Sequence, residues 1–129
     1  MPVRVADASA VAAVLFHEPE ADEVESRLRG YRLSAPALLT YELANVCWKK
    51  SLRRPHERSG FRRALARLPQ LGIHLTPVSA SSMVTLALET DLSAYDASYL
   101  WLTLEMGAPL VTLDRKLANV ARALLGRNG

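Results

Sequence analysis

The chain has 129 residues, half of them hydrophobic, so it can form one domain with its own core over residues 1–129 and is too short for a second. The formal net charge is only +3, and charged residues interrupt every apolar run before it reaches the roughly 20 residues of a membrane span. The N-terminal sequence lacks a secretory signal and the one cysteine, Cys47, excludes an intrachain disulfide, so we expect a cytoplasmic protein with no membrane contact.

Short apolar runs alternate with longer helical patterns along the whole chain. Pro36 is expected to open the longest helix, Pro55 to end it, and Gly107 to close a later one. We predict a strand at 3–6, helices at 10–18 and 19–29, a weak strand at 31–34, helices at 36–53 and 57–68, a strand at 72–79, helices at 81–89 and 94–106, a strand at 109–113 and a helix at 115–125. Strands separated by helices predict an α/β fold, with a parallel sheet covered by helices on both faces.

Acidic residues follow two of the predicted strands, where such a sheet binds ligands. Asp7 comes directly after the first strand and Asp114 after the fourth, so both lie at one edge of the sheet if those strands are neighbours. Glu42 and Asp96 lie near the N-terminal parts of two helices. Each acid also has a purely structural alternative, as a helix cap, as a solvated helix residue, or, for Asp96, as the partner of Ser93 in a capping box.

A cluster of these four carboxylates needs a cation, because two unit charges about 4 Å apart repel by roughly 4 kcal/mol at an effective dielectric constant of 20. Oxygen ligands without a cysteine or a suitable histidine pair favour Mg²⁺ or Mn²⁺ over zinc. Such an ion activates a bound water and neutralises charge on a phosphate oxygen. The acids therefore point to phosphodiester hydrolysis.

Basic residues are concentrated in the middle of the chain. Residues 43–88 contain eight lysines and arginines but a single acid, Glu57. This asymmetry indicates a polyanionic partner, although a solvated helix face is the alternative. The residues expected to hold such a partner through its phosphates are Arg53, Arg54, Arg58 and Arg62.

The segments "VADAS", "APALLTYELANV", "LSAYDASYLWL" and "LVTLDRKL" resemble, in order and spacing, the motifs of PIN-domain ribonucleases, and specifically the VapC-type toxins of bacterial toxin-antitoxin pairs. The resemblance covers nearly the whole chain. It implies a three-layer α/β/α sandwich around a central parallel sheet of four or five strands, although no segment after the final helix is an evident fifth strand. It also implies a homodimer and a cognate antitoxin protein that covers the acidic site.

The same resemblance implies a Mg²⁺- or Mn²⁺-dependent endoribonuclease with carboxylate ligands at all four acids. Our hypothesis is that Asp7, Asp96 and Asp114 hold the main ion, while Glu42 binds a second ion or positions the attacking water. The residues expected to support the site are Thr112 and Ser9.

Two other functions are compatible with an acidic site in an α/β fold. A signalling receiver domain has adjacent acids after its first strand and an aspartate after a middle strand, whereas Asp7 has no acidic neighbour and "LTPVS" has no aspartate. A PIN-like module that binds RNA or a partner without cutting is the second alternative, and the complete set of four acids argues against it.

Overall fold

Four short parallel strands form the centre of the structure, a computed structural model that describes residues 2–128. The strands are β1 (Val3–Ala6), β2 (Arg32–Pro36), β3 (His74–Thr76) and β4 (Leu110–Val111). They lie in the order β3-β2-β1-β4, so the chain moves outward from β1 to β3 and then returns to the other side of β1. The strand order therefore reverses between β1 and β4, which is where open parallel sheets bind ligands.

Helices connect all the strands and cover the sheet, which confirms the predicted three-layer α/β/α architecture. Across residues 2–128 no helix is both long and apolar enough to cross a bilayer. The α-helices are α1 (Ala8–Leu15), α2 (Ala21–Leu28), α3 (Leu39–Arg53), α4 (Arg58–Ala66), α5 (Ala80–Thr90), α6 (Ala94–Met106) and α7 (Arg115–Asn128), with single 3₁₀ turns at Pro55–Glu57 and Leu68–Leu71.

The order of strands and helices agrees with the prediction, but several ends differ. Pro36 was expected to open a helix and instead ends β2, paired with Thr76 of β3, so α3 begins three residues later at Leu39. The strand predicted at 72–79 is limited to three residues because Gly72 has a left-handed backbone (φ 68°) on one side and Pro77 follows on the other. The strand predicted at 109–113 is only two residues long.

The last helix is longer than predicted and runs from Arg115 to Asn128 rather than ending near 125. Gly129 lies outside the described residues. Four strands form the sheet within residues 2–128, so the lower of the two predicted strand counts applies there.

The buried face of α3 determines how Glu42 is presented. Leu39, Leu43 and Cys47 recur at intervals of four residues and are buried in the main core cluster, so this face packs inward. Burying a leucine side chain stabilises the fold by about 1.5–3 kcal/mol, which makes the orientation of the helix firm. Glu42, next to Leu43, is half-buried at the border of that face.

Candidate active site

Asp7 directly follows β1 and caps helix α1. Its Oδ1 accepts hydrogen bonds from the backbone N–H of Ala10 at 3.0 Å and from the hydroxyl of Ser9 at 2.7 Å. Its Oδ2 accepts a hydrogen bond from the hydroxyl of Thr112 at 2.5 Å. The residue is only 5% exposed. Asp7 is thus a helix cap, as the structural alternative predicted, but a cap whose carboxylate is also held by side chains.

Ser9 and Thr112 connect this carboxylate to the junction between β4 and α7. The hydroxyl of Ser9 accepts the backbone N–H of Leu113 at 2.9 Å, and that of Thr112 accepts the backbone N–H of Asp114 at 3.0 Å. The Asp114 carboxylate in turn accepts the backbone N–H of Leu117 at 3.1 Å and caps α7. Since β1 and β4 are paired neighbours, the two aspartates lie at one edge of the sheet, as expected.

Asp96 lies in the first turn of α6. The hydroxyl of Ser93 accepts its backbone N–H at 3.1 Å, so Ser93 caps this helix as predicted. The Asp96 side chain is half-buried and faces the same cleft as the other acids.

Glu42 is held by a residue to which the sequence analysis gave no role. The hydroxyl of Tyr99 donates a hydrogen bond to Glu42 Oε1 at 2.6 Å, and Tyr99 is 1% exposed. Tyr99 lies three residues after Asp96 on α6, so both side chains are on one face of that helix. The spacing of Tyr99 from Asp96 could be seen in the sequence. That Glu42, 57 positions away, is the hydrogen-bond partner of Tyr99 could not be seen without the fold.

The acids line one cleft of about 380 Å³, here called the acid cleft. No lysine or arginine is among the residues that line it in the described part of the chain. The carboxylate residues that line it are Asp7, Glu18, Glu42, Asp96 and Asp114.

Glu18 is the second residue that the sequence analysis missed. It follows His17, whose left-handed backbone (φ 54°) turns the chain after α1. Its carboxylate lies 3.0 Å from the Nζ of Lys50, which also lies near the rings of Phe16 and Phe61. Lys50 thereby neutralises the acid at the rim of the cleft. No motif marks Glu18, because its position depends on the turn at His17.

Burial and mutual repulsion affect the protonation of the cleft. Burial raises the pKa of Asp7 above its ordinary value, and the charge of Asp114 raises it further. Burial also raises the pKa of Glu42 and that of Asp96, with added contributions from neighbouring acids. Burial and the hydrogen bond to Glu42 raise the pKa of Tyr99 well above its usual range, so its hydroxyl stays protonated as a donor.

The donor set of the acid cleft fits a hard divalent cation. All of its charged ligand atoms are carboxylate oxygens, which are the ligands that such a cation prefers. As the side chains stand, no three histidine, cysteine, aspartate or glutamate residues within 2–128 are grouped closely enough to ligate one ion. Asp7, Glu42 and Asp114 are instead engaged by the hydroxyl and N–H donors described above.

The arginines predicted to bind RNA are exposed and do not line the acid cleft. Arg54 Nη1 lies 3.3 Å from Glu57 Oε2, and this ion pair partly neutralises the positive charge that Arg54 offers to a ligand. The other members of the predicted set are Arg53 at the end of α3 and Arg58 and Arg62 on α4.

Comparison with known proteins gives one consistent result. A profile of the PIN domain matches residues 4–123. Ribonuclease VapC3 of Pyrobaculum aerophilum is 33% identical over 126 residues, which cover 94% of this chain and 96% of the relative. VapC ribonuclease Mb0985 of Mycobacterium bovis is 31% identical over 119 residues, 92% of this chain and 91% of the relative. The crystal structure of PAE2754 from Pyrobaculum aerophilum matches with a TM-score of 0.74 and 26% identity, covering 98% of this chain and 96% of that one.

Proposed function

The chain belongs to the PIN-domain family and is a VapC-type member of it, and from this membership we propose that it is a Mg²⁺- or Mn²⁺-dependent endoribonuclease that acts as the toxin of a toxin-antitoxin pair. The ribonuclease activity is inferred from these two relatives, both of which are named as ribonucleases. The observation that carries the metal dependence is the acid cleft, in which carboxylates from four separate segments face one space at the switch point of the sheet.

In the proposed reaction, water attacks a backbone phosphate, the bond from phosphorus to the 3′ oxygen breaks, and a 5′-phosphate end is left. Asp7, Asp96 and Asp114 would hold the cation, and Glu42 would hold a second one or position the attacking water. The cation would supply charge neutralisation at the phosphate and a water of lowered pKa. Thr112 and Ser9 fix the direction of the Asp7 carboxylate, and Tyr99 fixes that of Glu42.

The toxin role requires a partner that suppresses it. We expect a cognate antitoxin protein that covers the acid cleft and acts with the toxin in the cytoplasm. Expressing the chain alone should arrest growth, and co-expression of a small DNA-binding protein encoded next to it should restore growth. Growth arrest that persists with an Asp7→Asn chain would argue against a toxin that works by cleavage.

We also propose that the protein is a homodimer. Tyr41, Trp48 and Leu52 of α3 are 76%, 58% and 62% exposed. They lie within about 40° of one another around the helix, opposite the buried face of α3. An apolar stripe of this kind is the usual seam of a helix pair, and it supports an interface at α3.

The two alternative functions predict different chemistry. A receiver domain would take up phosphate from radiolabelled acetyl phosphate, whereas Asp7 here lies between Ala6 and Ala8 with no adjacent acid. A module that binds without cutting would hold RNA intact when Mn²⁺ is added.

One experiment separates these functions. Labelled single-stranded RNA is incubated with the protein in Mn²⁺, in Mg²⁺ and in EDTA, and a parallel sample receives acetyl phosphate. We expect cleavage to 5′-phosphate products with either metal, none in EDTA, and no labelled protein. RNA left intact in both metals would contradict the proposal.

A further inference from the structure

A second cleft of about 330 Å³ opens beside the acid cleft. The two clefts share Leu113 and Asp114 in their linings, so they adjoin at the β4–α7 junction. We call it the arginine cleft. The polar and charged side chains that line it, apart from Thr112 and Asp114, are Arg27, Arg115, Asn119 and Arg122.

The arginines come together from two helices. Arg115, Asn119 and Arg122 follow one another at intervals of four and three residues, so they share one face of α7. Arg27 approaches from the last turn of α2. Its carbonyl oxygen accepts a hydrogen bond from Arg4 Nη1 at 2.6 Å, which fixes the end of α2 to β1. The cleft is therefore formed by the fold and not by one helix alone.

The positive charge of the arginine cleft is largely uncompensated. Among residues 2–128, none of Arg27, Arg115 and Arg122 forms a salt bridge, whereas Arg54, Lys50 and Lys116 do. The only acid in the lining is Asp114, at the boundary with the acid cleft. Three arginines around a small polar space suit a phosphate in charge, and a guanidinium group can bind a phosphate with two parallel hydrogen bonds.

A nucleic acid that enters the acid cleft faces strong repulsion. A phosphate about 4 Å from a carboxylate is disfavoured by roughly 4 kcal/mol at an effective dielectric constant of 20. Positive groups next to the cleft offset this repulsion. We infer that the arginine cleft binds a phosphate of the RNA strand adjacent to the scissile one and so positions the strand against Asp114. This inference deepens the proposed function and rests on it.

The arginine cleft differs from the arginines predicted from the sequence. Those on α3 and α4 do not line the acid cleft, whereas the arginine cleft adjoins it directly. Removing an arginine of the arginine cleft should therefore weaken RNA binding and also misplace the bound strand.

The test uses the full chain in EDTA, where binding is measured without metal. A fluorescein-labelled single-stranded RNA is titrated with wild type, Arg115→Gln, Arg122→Gln and the matched control Arg32→Gln, with fluorescence anisotropy as the readout. Arg32 is exposed at the opposite, N-terminal end of β2. We expect each arginine-cleft variant to weaken binding by about two- to fivefold, as for an exposed ion pair. The slope of log K against log salt should fall by about 0.7 for each phosphate that the variant no longer neutralises. Arg32→Gln should match wild type in both.

The outcomes separate this inference from the proposed function. If Mn²⁺ produces no cleavage by wild type, the proposed function fails while the binding comparison still decides the inference. If wild type cleaves RNA and the Arg115 and Arg122 variants bind with wild-type affinity and salt slope, the inference is wrong. It is equally wrong if these variants lose affinity for poly-glutamate but not for RNA, since the cleft would then serve an acidic peptide.

Discussion

Asp7 accepts three hydrogen bonds, and two of them come from hydroxyl groups that also accept backbone N–H groups of the β4–α7 junction. The residue types and the position after a strand were readable from the sequence, because a cap and a strand end are local features. That Ser9 and Thr112 would meet at one carboxylate was not readable, since they lie 103 positions apart.

Replacement of Thr112 tests this network at the scale of one hydroxyl. Thr112→Val keeps the shape of the side chain but leaves Asp7 Oδ2 and the Asp114 N–H without their partner. We expect a loss of about 1–3 kcal/mol in unfolding free energy and a 10- to 100-fold loss in Mn²⁺ affinity, measured by denaturant unfolding and calorimetry. Thr103→Val is the matched control, because the buried Thr103 hydroxyl has no partner in the described residues. If both variants behave alike, the network has no special role.

Protonation of the acids gives a pH prediction for the metal-free protein. Burial raises the folded-state pKa of Asp7, so its contribution to stability is fully present below its unfolded value of 3.8 and is lost as pH rises through the raised value. In EDTA, the melting temperature of wild type should therefore fall relative to that of Asp7→Asn as the pH rises above 3.8. Parallel curves for the two proteins would contradict the raised pKa.

The N-terminal ends of three helices orient the acids. Asp7 and Asp114 cap α1 and α7, and Ser93 caps the turn that carries Asp96. Caps were predictable because they depend on residues three positions apart. Pro36 was predicted wrongly, because its pairing with Thr76 in the sheet overrides its local preference for a helix start.

Two serine caps offer a matched pair of variants. Ser93→Ala and Ser79→Ala each remove a hydroxyl that accepts an N–H at the start of a helix, α6 and α5 respectively. Both should lower the unfolding free energy by about 1 kcal/mol. Only Ser93→Ala should also weaken Mn²⁺ binding, by about tenfold, because α6 carries an acid of the cleft and α5 does not. Equal Mn²⁺ affinity in the two variants would show that the cap does not support a ligand.

At the scale of the whole molecule, the pairing of β4 with β1 brings the two halves of the chain to one edge. The sequence predicted both strands, but it could not show that they are neighbours, because their pairing joins residues about 100 positions apart in the chain. Glu18 and Tyr99 were missed for the same reason. Their roles depend on a turn and on a hydrogen bond between α6 and α3, which no local pattern encodes.

The exposed stripe of α3 gives a prediction on assembly. Light scattering during size-exclusion chromatography should give twice the chain mass of 14.2 kDa for wild type. Trp48→Glu places a charge in the stripe and should yield the monomer, because a buried unpaired charge costs several kcal/mol. Leu88, 81% exposed on α5, is the comparison site. If Leu88→Glu separates the subunits and Trp48→Glu does not, the interface is not at α3.

If the acid cleft is one metal-dependent nuclease site, the single-turnover cleavage of a labelled RNA in saturating Mn²⁺ must depend on its carboxylates. The rate is measured for wild type, for Asp7→Asn and for Asp22→Asn, an exposed acid on α2 that lies outside the cleft. Loss of several kcal/mol of transition-state stabilisation predicts a rate at least about a hundredfold lower for Asp7→Asn, with Asp22→Asn unchanged. Full metal-dependent cleavage by Asp7→Asn would show that the acid cleft is not the nuclease site.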